Sequence, residues 1–374
     1  MNGPVGIVCG SWPPIKCGVG DFTQRLAMEL GRLGSDILVI TDRRAALEPL
    51  PGVRVLPLVD SWSPVALPSV LDALQRAGVS LVNIQYPTQE YGRLSLIDLL
   101  PAAARLSLKR PVITTIHEYK TFQRLGRLRV RNLVRTSTAA IVPDPANREA
   151  IAADLPQAAV RVHGVPLAPV VEPNPGLDRE AWRAARRLTP DTLALAYFGF
   201  LSPGKGVEVL LDAVERLPSN LDFRVWLLAD REPAHPRYAG YHLEIARQLA
   251  EMQNRERVTW TGYLPPSELS AYLSSSDLAV LPYADGAALR RTTMLTALRH
   301  GLPVLSTGKQ PPCGGVRVVP AGDAEALARA ILQLAQDRQS LASLAADAER
   351  VGASVNWRTI AEQTAAVYSR YAER

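Results

Sequence analysis

The chain alternates short apolar runs with longer amphipathic ones. Runs rich in Val and Ile fall at Val5–Cys9, Ile37–Thr41, Arg54–Leu58, Ser80–Gln85, Pro111–Ile116 and Thr138–Val142. They are nearly continuous in hydrophobicity, as strands buried on both faces should be. Between them, helical spacing predicts helices near 21–34, 67–78, 94–108, 122–136 and 146–154. This alternation predicts a parallel, doubly wound sheet. Residues 163–176, HGVPLAPVVEPNPG, interrupt it with Pro166, Pro169, Pro173 and Pro175. Each proline fixes φ and removes a donor, which predicts a stiff extended linker. Alternation then resumes. Strands are expected at Leu193–Phe198, Phe223–Leu228, Val258–Gly262, Leu278–Leu281, Pro303–Ser306 and Val316–Val319. Helices are expected near 206–217, 240–253, 266–275, 291–300, 324–335 and 338–351, and Trp357–Tyr371 reads as a last amphipathic helix.

The 374 residues, 47% hydrophobic and 21% charged, supply two soluble cores. They exclude a disordered tail, a disulfide miniprotein and a coiled coil. The expected division is an N-terminal domain over 1–165, a Pro-rich linker over 166–180, a C-terminal domain over 181–356, and a final helix over 357–374. The net charge of +6 is uneven. Residues 1–170 hold 19 basic and 13 acidic side chains, and the remainder holds 23 of each. An acidic partner for the first half, or simple solubility, accounts for the excess. Cys9, Cys17 and Cys313 show no metal spacing and no disulfide framework, which fits a reducing compartment. With no apolar run of membrane length and no secretory leader pattern, a cytoplasmic protein is expected.

Ligands of open α/β sheets bind at the carboxyl ends of strands, so two such domains facing each other would form a cleft. Five features bear on that region. The turn SWPPIKCGVGDF ends in Gly18-Val19-Gly20 before a helix, either a phosphate-approaching loop or an ordinary strand–helix turn. In FGFLSPGKGVEVLLDA, Gly199 ends a strand and Lys205 sits between Gly204 and Gly206 before a helix. That suits a phosphate, or is a surface lysine in a turn; it is not a P-loop. In LPYADGAALRRTTMLTALRHGLPVLST, Arg290, Arg291, Thr292 and Thr293 stand at an expected helix start near Arg290, to hold a diphosphate or to line a solvated face. His117 ends a strand, facing the cleft or buried as a structural histidine. Lys120, Arg124, Arg127, Arg131 and Arg135 fall on one helix face with no acid between 119 and 135. Such a face meets an anionic membrane surface, an acidic acceptor or only water. No nucleic-acid motif accompanies it. No Asp-x-Asp occurs, so a metal chelated on a diphosphate is not expected.

Taken together, GVGDFTQRLAMELGRLG, TTIHEY, HGVP, GFLSPGKGVEVLLDA, TGYLPPSELSAYLSSSDLAVLPY and HGLPVLST give the chain a resemblance, over essentially its whole length, to GT-B retaining glycosyltransferases of the family-4 type. The resemblance implies an α/β GT-B fold: two Rossmann-like domains facing across a cleft, with the final helix crossing back to the first. It implies a nucleotide-sugar donor, of UDP or GDP type, held mainly by the C-terminal domain. The acceptor, a glycan, lipid-linked or small molecule, would sit mainly on the N-terminal domain, with Lys120, Arg124, Arg127 and Arg131 facing it or the inner face of a membrane. Gly18 and Gly20 match the loop near the donor phosphates. His117 matches the strand-end histidine on the donor sugar, and Lys205 the lysine on the diphosphate. Arg291, Thr292 and Thr293 match the helix start at the distal phosphate, and Gly199 and Gly204 belong to the same donor loop. His117, Lys205 and Arg291 are thus the expected catalytic set, with no metal and no cofactor.

Three departures stand out. The family's Glu-x7-Glu pair falls on Ala288 and Thr296, neither acidic. The family's arginine shortly before the lysine falls near Phe200; Arg290 or Arg291 would replace its charge. Asp285 would replace a contact to sugar hydroxyls. Retaining transfer in this fold needs no protein nucleophile, since a donor phosphate oxygen takes the acceptor proton. The expected activity is hexosyl transfer in polysaccharide, glycolipid or specialised-metabolite assembly. The alternative is a degenerate GT-B protein that binds nucleotide or glycan and partners an active enzyme.

Overall fold

The apolar runs become strands, the central ones with nearly every residue out of water and those at Val53–Val59, Val258–Trp260 and Val316–Val319 only partly buried. A computed structural model describes residues 3–15, 17–47, 49–92 and 95–372. In chain order, the first half carries β1 (Val5–Cys9), α1 (Gly18–Arg32), β2 (Ile37–Asp42), β3 (Val53–Val59), α2 (Ala66–Arg76), β4 (Leu81–Tyr86), α3 (Leu100–Ser107), β5 (Val112–Ile116), α4 (Arg124–Thr136), β6 (Ala139–Ile141), α5 (Pro145–Asp154) and β7 (Val162–His163). The second half carries α6 (Arg179–Ala185), β8 (Leu193–Phe198), α7 (Val207–Glu215), β9 (Phe223–Leu228), α8 (Ala239–Glu251), β10 (Val258–Trp260), α9 (Pro266–Ser275), β11 (Leu278–Leu281), α10 (Thr292–Arg299), β12 (Val304–Thr307), β13 (Val316–Val319), α11 (Ala324–Gln336), α12 (Arg338–Ser354) and α13 (Trp357–Ala372).

The chain divides into two units. The first holds Met1–Ala168 and Trp357–Arg374, and the second Pro169–Asn356. The first unit is built on a seven-stranded sheet in the order β3-β2-β1-β4-β5-β6-β7. Its strand pairs are all parallel. Helix α1 buries Phe22, Leu26, Ala27 and Leu30, spaced on one face. Helix α13 packs on α1, where Phe22 and Trp357 meet with ring centroids 5.4 Å apart. The second unit has a six-stranded parallel sheet in the order β10-β9-β8-β11-β12-β13. Both are doubly wound α/β sheets. In each, the strand order reverses once, between β1 and β4 and between β8 and β11, and ligands of such sheets gather outside that point.

The elements differ from the sequence expectation in several places, among them the unexpected β7, which makes the first sheet seven-stranded. The helix expected over 94–108 is a 3-10 turn at Ile97–Leu99 followed by α3, which starts where Pro101 suits a first helical turn; residues 93 and 94 lie outside the described residues. The basic helix begins at Arg124, which leaves Lys120 in the preceding turn. The helix expected from Arg290 begins at Thr292, with Arg291 extended as its N-cap.

Helix α6, which straddles the expected end of the linker at residue 180, was not predicted. Its N-cap Asp178 accepts from Ala181 N–H at 2.9 Å. Its Arg183, only 6% exposed, donates to the carbonyls of Ser275, Thr189 and Thr192 and pairs with Asp277. One buried guanidinium thus fastens a seven-residue helix to the strand ends. The Pro-rich segment is itself laid onto the second unit. Val170 N–H donates to Thr296 Oγ1 at 2.8 Å, Asn174 N–H to Ser270 Oγ at 2.9 Å, and Arg299 pairs with Glu172 at 2.7 Å.

Removing the partner of a buried charge costs more than the pair contributes. Asp277→Ala is therefore expected to destabilise the second unit by about 3–5 kcal/mol, measured by urea unfolding.

Candidate active site

In the second unit, the loops after β8 and β11 close on one another at the reversal point. Gly206 has φ +76°, and a Cβ there would lie 1.9 Å from Pro282 O. Ala284 N–H donates to Gly204 O at 3.0 Å. Glycine at 206 is what lets the two loops touch. Gly204 is different: it also has positive φ, but nothing lies within 4 Å of its missing Cβ. Gly199, at the strand end, has φ +138°, and a Cβ there would lie 3.1 Å from the Thr293 methyl.

The contact brings Lys205 beside Tyr283, a residue the sequence reading did not single out. Lys205 Nζ lies 5.6 Å and Arg291 Cζ 4.5 Å from the centroid of that ring, both within cation–π range. Tyr283 is 1% exposed, and its hydroxyl is 2.5 Å from Thr293 Oγ1. Burial pushes the Tyr283 hydroxyl up to about 12, against the opposing pull of the Thr293 bond and of Arg291, so it stays neutral. The ring orders two cations and the first turn of α10 together. The N-cap residue Arg291 makes no side-chain capping bond to that turn, and the first N–H groups of a helix have no intrahelical partner.

Asp285 accepts from Arg290 at 2.8 Å and also pairs with Arg291. Burial raises its carboxyl, but the Arg290 hydrogen bond and the two positive charges outweigh this and hold it below the usual range. Of the two positions aligned with the family's acidic pair, Ala288 accepts Arg291 N–H through its carbonyl. Thr296 is fully buried; it accepts from Val170 N–H and donates to Thr292 O. The second position has become a structural fastener.

In the first unit, His117 follows β5 directly and is partly exposed. Its N–H donates to Tyr86 O at 2.8 Å, and its Nε2 lies 2.8 Å from Gln85 Oε1. The Phe22 ring meets it edge-on at 5.3 Å. Desolvation by these neighbours pulls its pKa down to about 4. Gly18 and Gly20 separate in role. Gly18 opens α1 with free space around it. Gly20 is buried, and a Cβ there would lie 2.9 Å from Ser11 O, so it serves helix packing.

The basic stripe is not a uniform charged face. Arg131 bonds Tyr119 and Asp154. Arg127 donates to the carbonyls of Phe122 and Lys120 at 3.0 Å. Lys120 and Arg124 are exposed, and Leu125 and Leu128 stand exposed on the same helix. Among the described residues, no group of His, Cys, Asp or Glu is assembled to hold a metal, and no helix is long and apolar enough to cross a membrane.

Residues 192–337 match the family described as "Glycosyl transferases group 1". The match lies wholly within the second unit. That span runs from β8 into α11 and contains Lys205, Tyr283, Asp285 and the start of α10. Solved structures share the fold over nearly the whole length of this chain. Sucrose-phosphate synthase from Thermosynechococcus elongatus aligns with TM-score 0.77 at 19% identity, over 98% of each chain. Anabaena HepE, in complex with UDP and glucose, aligns with TM-score 0.74 at 18% identity, over 98% of this chain and 100% of that one. WaaG, a glycosyltransferase involved in lipopolysaccharide biosynthesis, aligns with TM-score 0.67 at 15% identity, over 96% and 98%. These likenesses establish the fold as GT-B. No curated protein matches the sequence.

The depressed His117 pKa has a stability signature. Between its ordinary 6.5 and about 4, the unfolded chain binds a proton that the folded one refuses. The stability linked to a neutral His117 is present above pH 6.5 and is lost as pH falls toward 4. The melting temperature of His117→Gln is expected to fall by several degrees less than that of the parent between pH 7 and pH 4.5, in thermal denaturation scans.

Proposed function

We propose that the protein transfers a sugar from a nucleotide-diphosphate sugar, of UDP or GDP type, to an acceptor hydroxyl. The carrying observation is the arrangement of Lys205 and Arg291 on one Tyr283 ring, beside the uncapped start of α10. As the bond from the sugar to the diphosphate breaks, negative charge grows on the leaving oxygens. Two fixed cations and the N–H groups of Thr292 and Thr293 stabilise it in place. HepE, which shares the fold, is a structure with UDP and glucose bound, and this supports a uridine nucleotide as the first donor to try.

Transfer proceeds with retention and without a metal in this reading. The diphosphate leaves from the face the acceptor hydroxyl enters, and one of its oxygens takes the proton. The protein supplies alignment and charge rather than a nucleophile. Arg291 carries the second cation that the segment around Phe200 lacks. Asp285 draws Arg290 and Arg291 together, and a donor phosphate would compete with it for both. The acceptor is a glycan, a lipid-linked saccharide or a small molecule in polysaccharide, glycolipid or specialised-metabolite assembly. Lys120, Arg124, Leu125 and Leu128 suit transient contact of the first unit with an anionic lipid surface on the cytoplasmic side. The second reading, a binding protein without turnover, is favoured by Thr296, which is built into the fold where the family carries an acid.

The test is transfer and hydrolysis with a panel of UDP-, GDP-, ADP- and dTDP-sugars. One panel member is expected to turn over, and Lys205→Ala to lower that rate about 10²–10³-fold. A loss below threefold overturns the assignment, and tight binding without turnover selects the second reading. Vesicle flotation checks the surface: Arg124→Glu with Leu125→Ser is expected to abolish binding to phosphatidylglycerol vesicles while leaving transfer to a soluble acceptor intact.

A further inference from the structure

Strand β4 carries Asn83 and Gln85 two residues apart, hence on one face, and both are fully buried. Two amides in the interior of a sheet are costly unless each donor and acceptor is placed. Here they form a ladder with a fixed end. Asn83 Nδ2 lies 3.2 Å from the backbone carbonyl of Ile113 and 3.1 Å from Thr115 Oγ1. A carbonyl can only accept, so the nitrogen of Asn83 must face it, and Asn83 Oδ1 faces the other way. That oxygen accepts from Gln85 Nε2 at 2.5 Å, which leaves Gln85 Oε1 facing His117 Nε2 at 2.8 Å. An oxygen there requires a hydrogen on Nε2. The orientation of each amide, usually open to a flip, is set by the backbone of β5.

We propose that Gln85 is a positioning residue that holds His117 as the Nε2–H tautomer, so that Nδ1 meets the ligand as a hydrogen-bond acceptor for a sugar hydroxyl. No described residue occupies Nδ1, and the residue is partly exposed at the carboxyl end of the sheet. Desolvation keeps the ring neutral at pH 7, so Nδ1 carries a lone pair. Neutral hydroxyl-bearing sugars satisfy it, whereas a carboxylate at that place would set two acceptors against each other. The ligand half of this inference rests on the reading of His117 as a substrate contact; the tautomer does not.

The experiment uses the full chain labelled with ¹⁵N-histidine, with His117 assigned by the loss of its signals in His117→Gln. At pH 7, long-range ¹H–¹⁵N spectra are expected to show a protonated Nε2 and an unprotonated Nδ1. A protonated Nδ1, an imidazolium or an exchanging mixture overturns the proposal. Gln85→Met, which keeps length but offers no acceptor, is expected to give a mixture of tautomers and a loss of transfer of about 10–100-fold. Gln85→Glu, protonated on the oxygen that faces Asn83 Oδ1, would keep both the donor and the acceptor of the ladder and is expected to retain the Nε2–H form. An unchanged His117 spectrum in a folded Gln85→Met protein removes Gln85 from the role, and if neither variant folds the parent spectrum still decides the tautomer. A protein with the expected tautomer but no transfer from any nucleotide sugar refutes the proposed function alone. One that transfers with Nδ1 protonated refutes this assignment alone.

Discussion

Right-handed crossovers allow a parallel sheet to be covered on both faces only if its strand order reverses once. At the reversal, two neighbouring strands send their chains to opposite faces, and no crossover fills the gap at their carboxyl ends. In the second unit that gap lies between β8 and β11. Closing it needs a residue without a side chain, and Gly206 against Pro282 supplies it. The position of Lys205, the partnership of Tyr283 with two cations, and the approach of α10 all follow from that one contact. The first unit repeats the scheme between β1 and β4. There the adjoining β4 and β5 carry a polar ladder inward instead of cations outward.

The two units handle charge differently. The second has no net excess, yet it gathers Lys205, Arg290 and Arg291 around one ring and one carboxylate. A local cluster is worth more there than general positive charge, because partial burial weakens screening. The first unit carries the excess but spends part of it internally. Arg129 is committed to Asp98 and the carbonyl of Ser95, and Arg131 to Asp154. What faces water is a smaller set mixed with leucines.

Strands were legible because burial on both faces writes itself as unbroken Val and Ile. Leu193–Phe198, Phe223–Leu228, Leu278–Leu281 and Val316–Val319 match the structure residue for residue. Helix α6 was not legible, because it is seven residues long and is held by an arginine, which a hydrophobic pattern scores as solvent-facing. Lys205 and the arginine pair stood out from a glycine loop and a helix start, and Asp285 only through the family resemblance. Tyr283 did not: after an apolar strand it reads as one more core aromatic, and only the packing shows two cations above it. Asn83 and Gln85 did leave a signal, two polar residues on one face of LVNIQY, but a periodicity search absorbs them as noise. Gly20 shows how one glycine carries two readings, since the close approach of the Ser11 carbonyl requires it whatever the loop binds.

Arg299, at the far end of α10, donates to Glu172 on the segment by which the chain enters the second unit. It also donates, at 3.2 Å, to Gly352 O, just before the chain leaves it. Thr296, one turn earlier, holds Val170. Both passages of the polypeptide between units are therefore moored to a helix of eight residues whose opposite tip carries the uncapped N–H groups. One helix thus clasps the first and last segments of the second unit together.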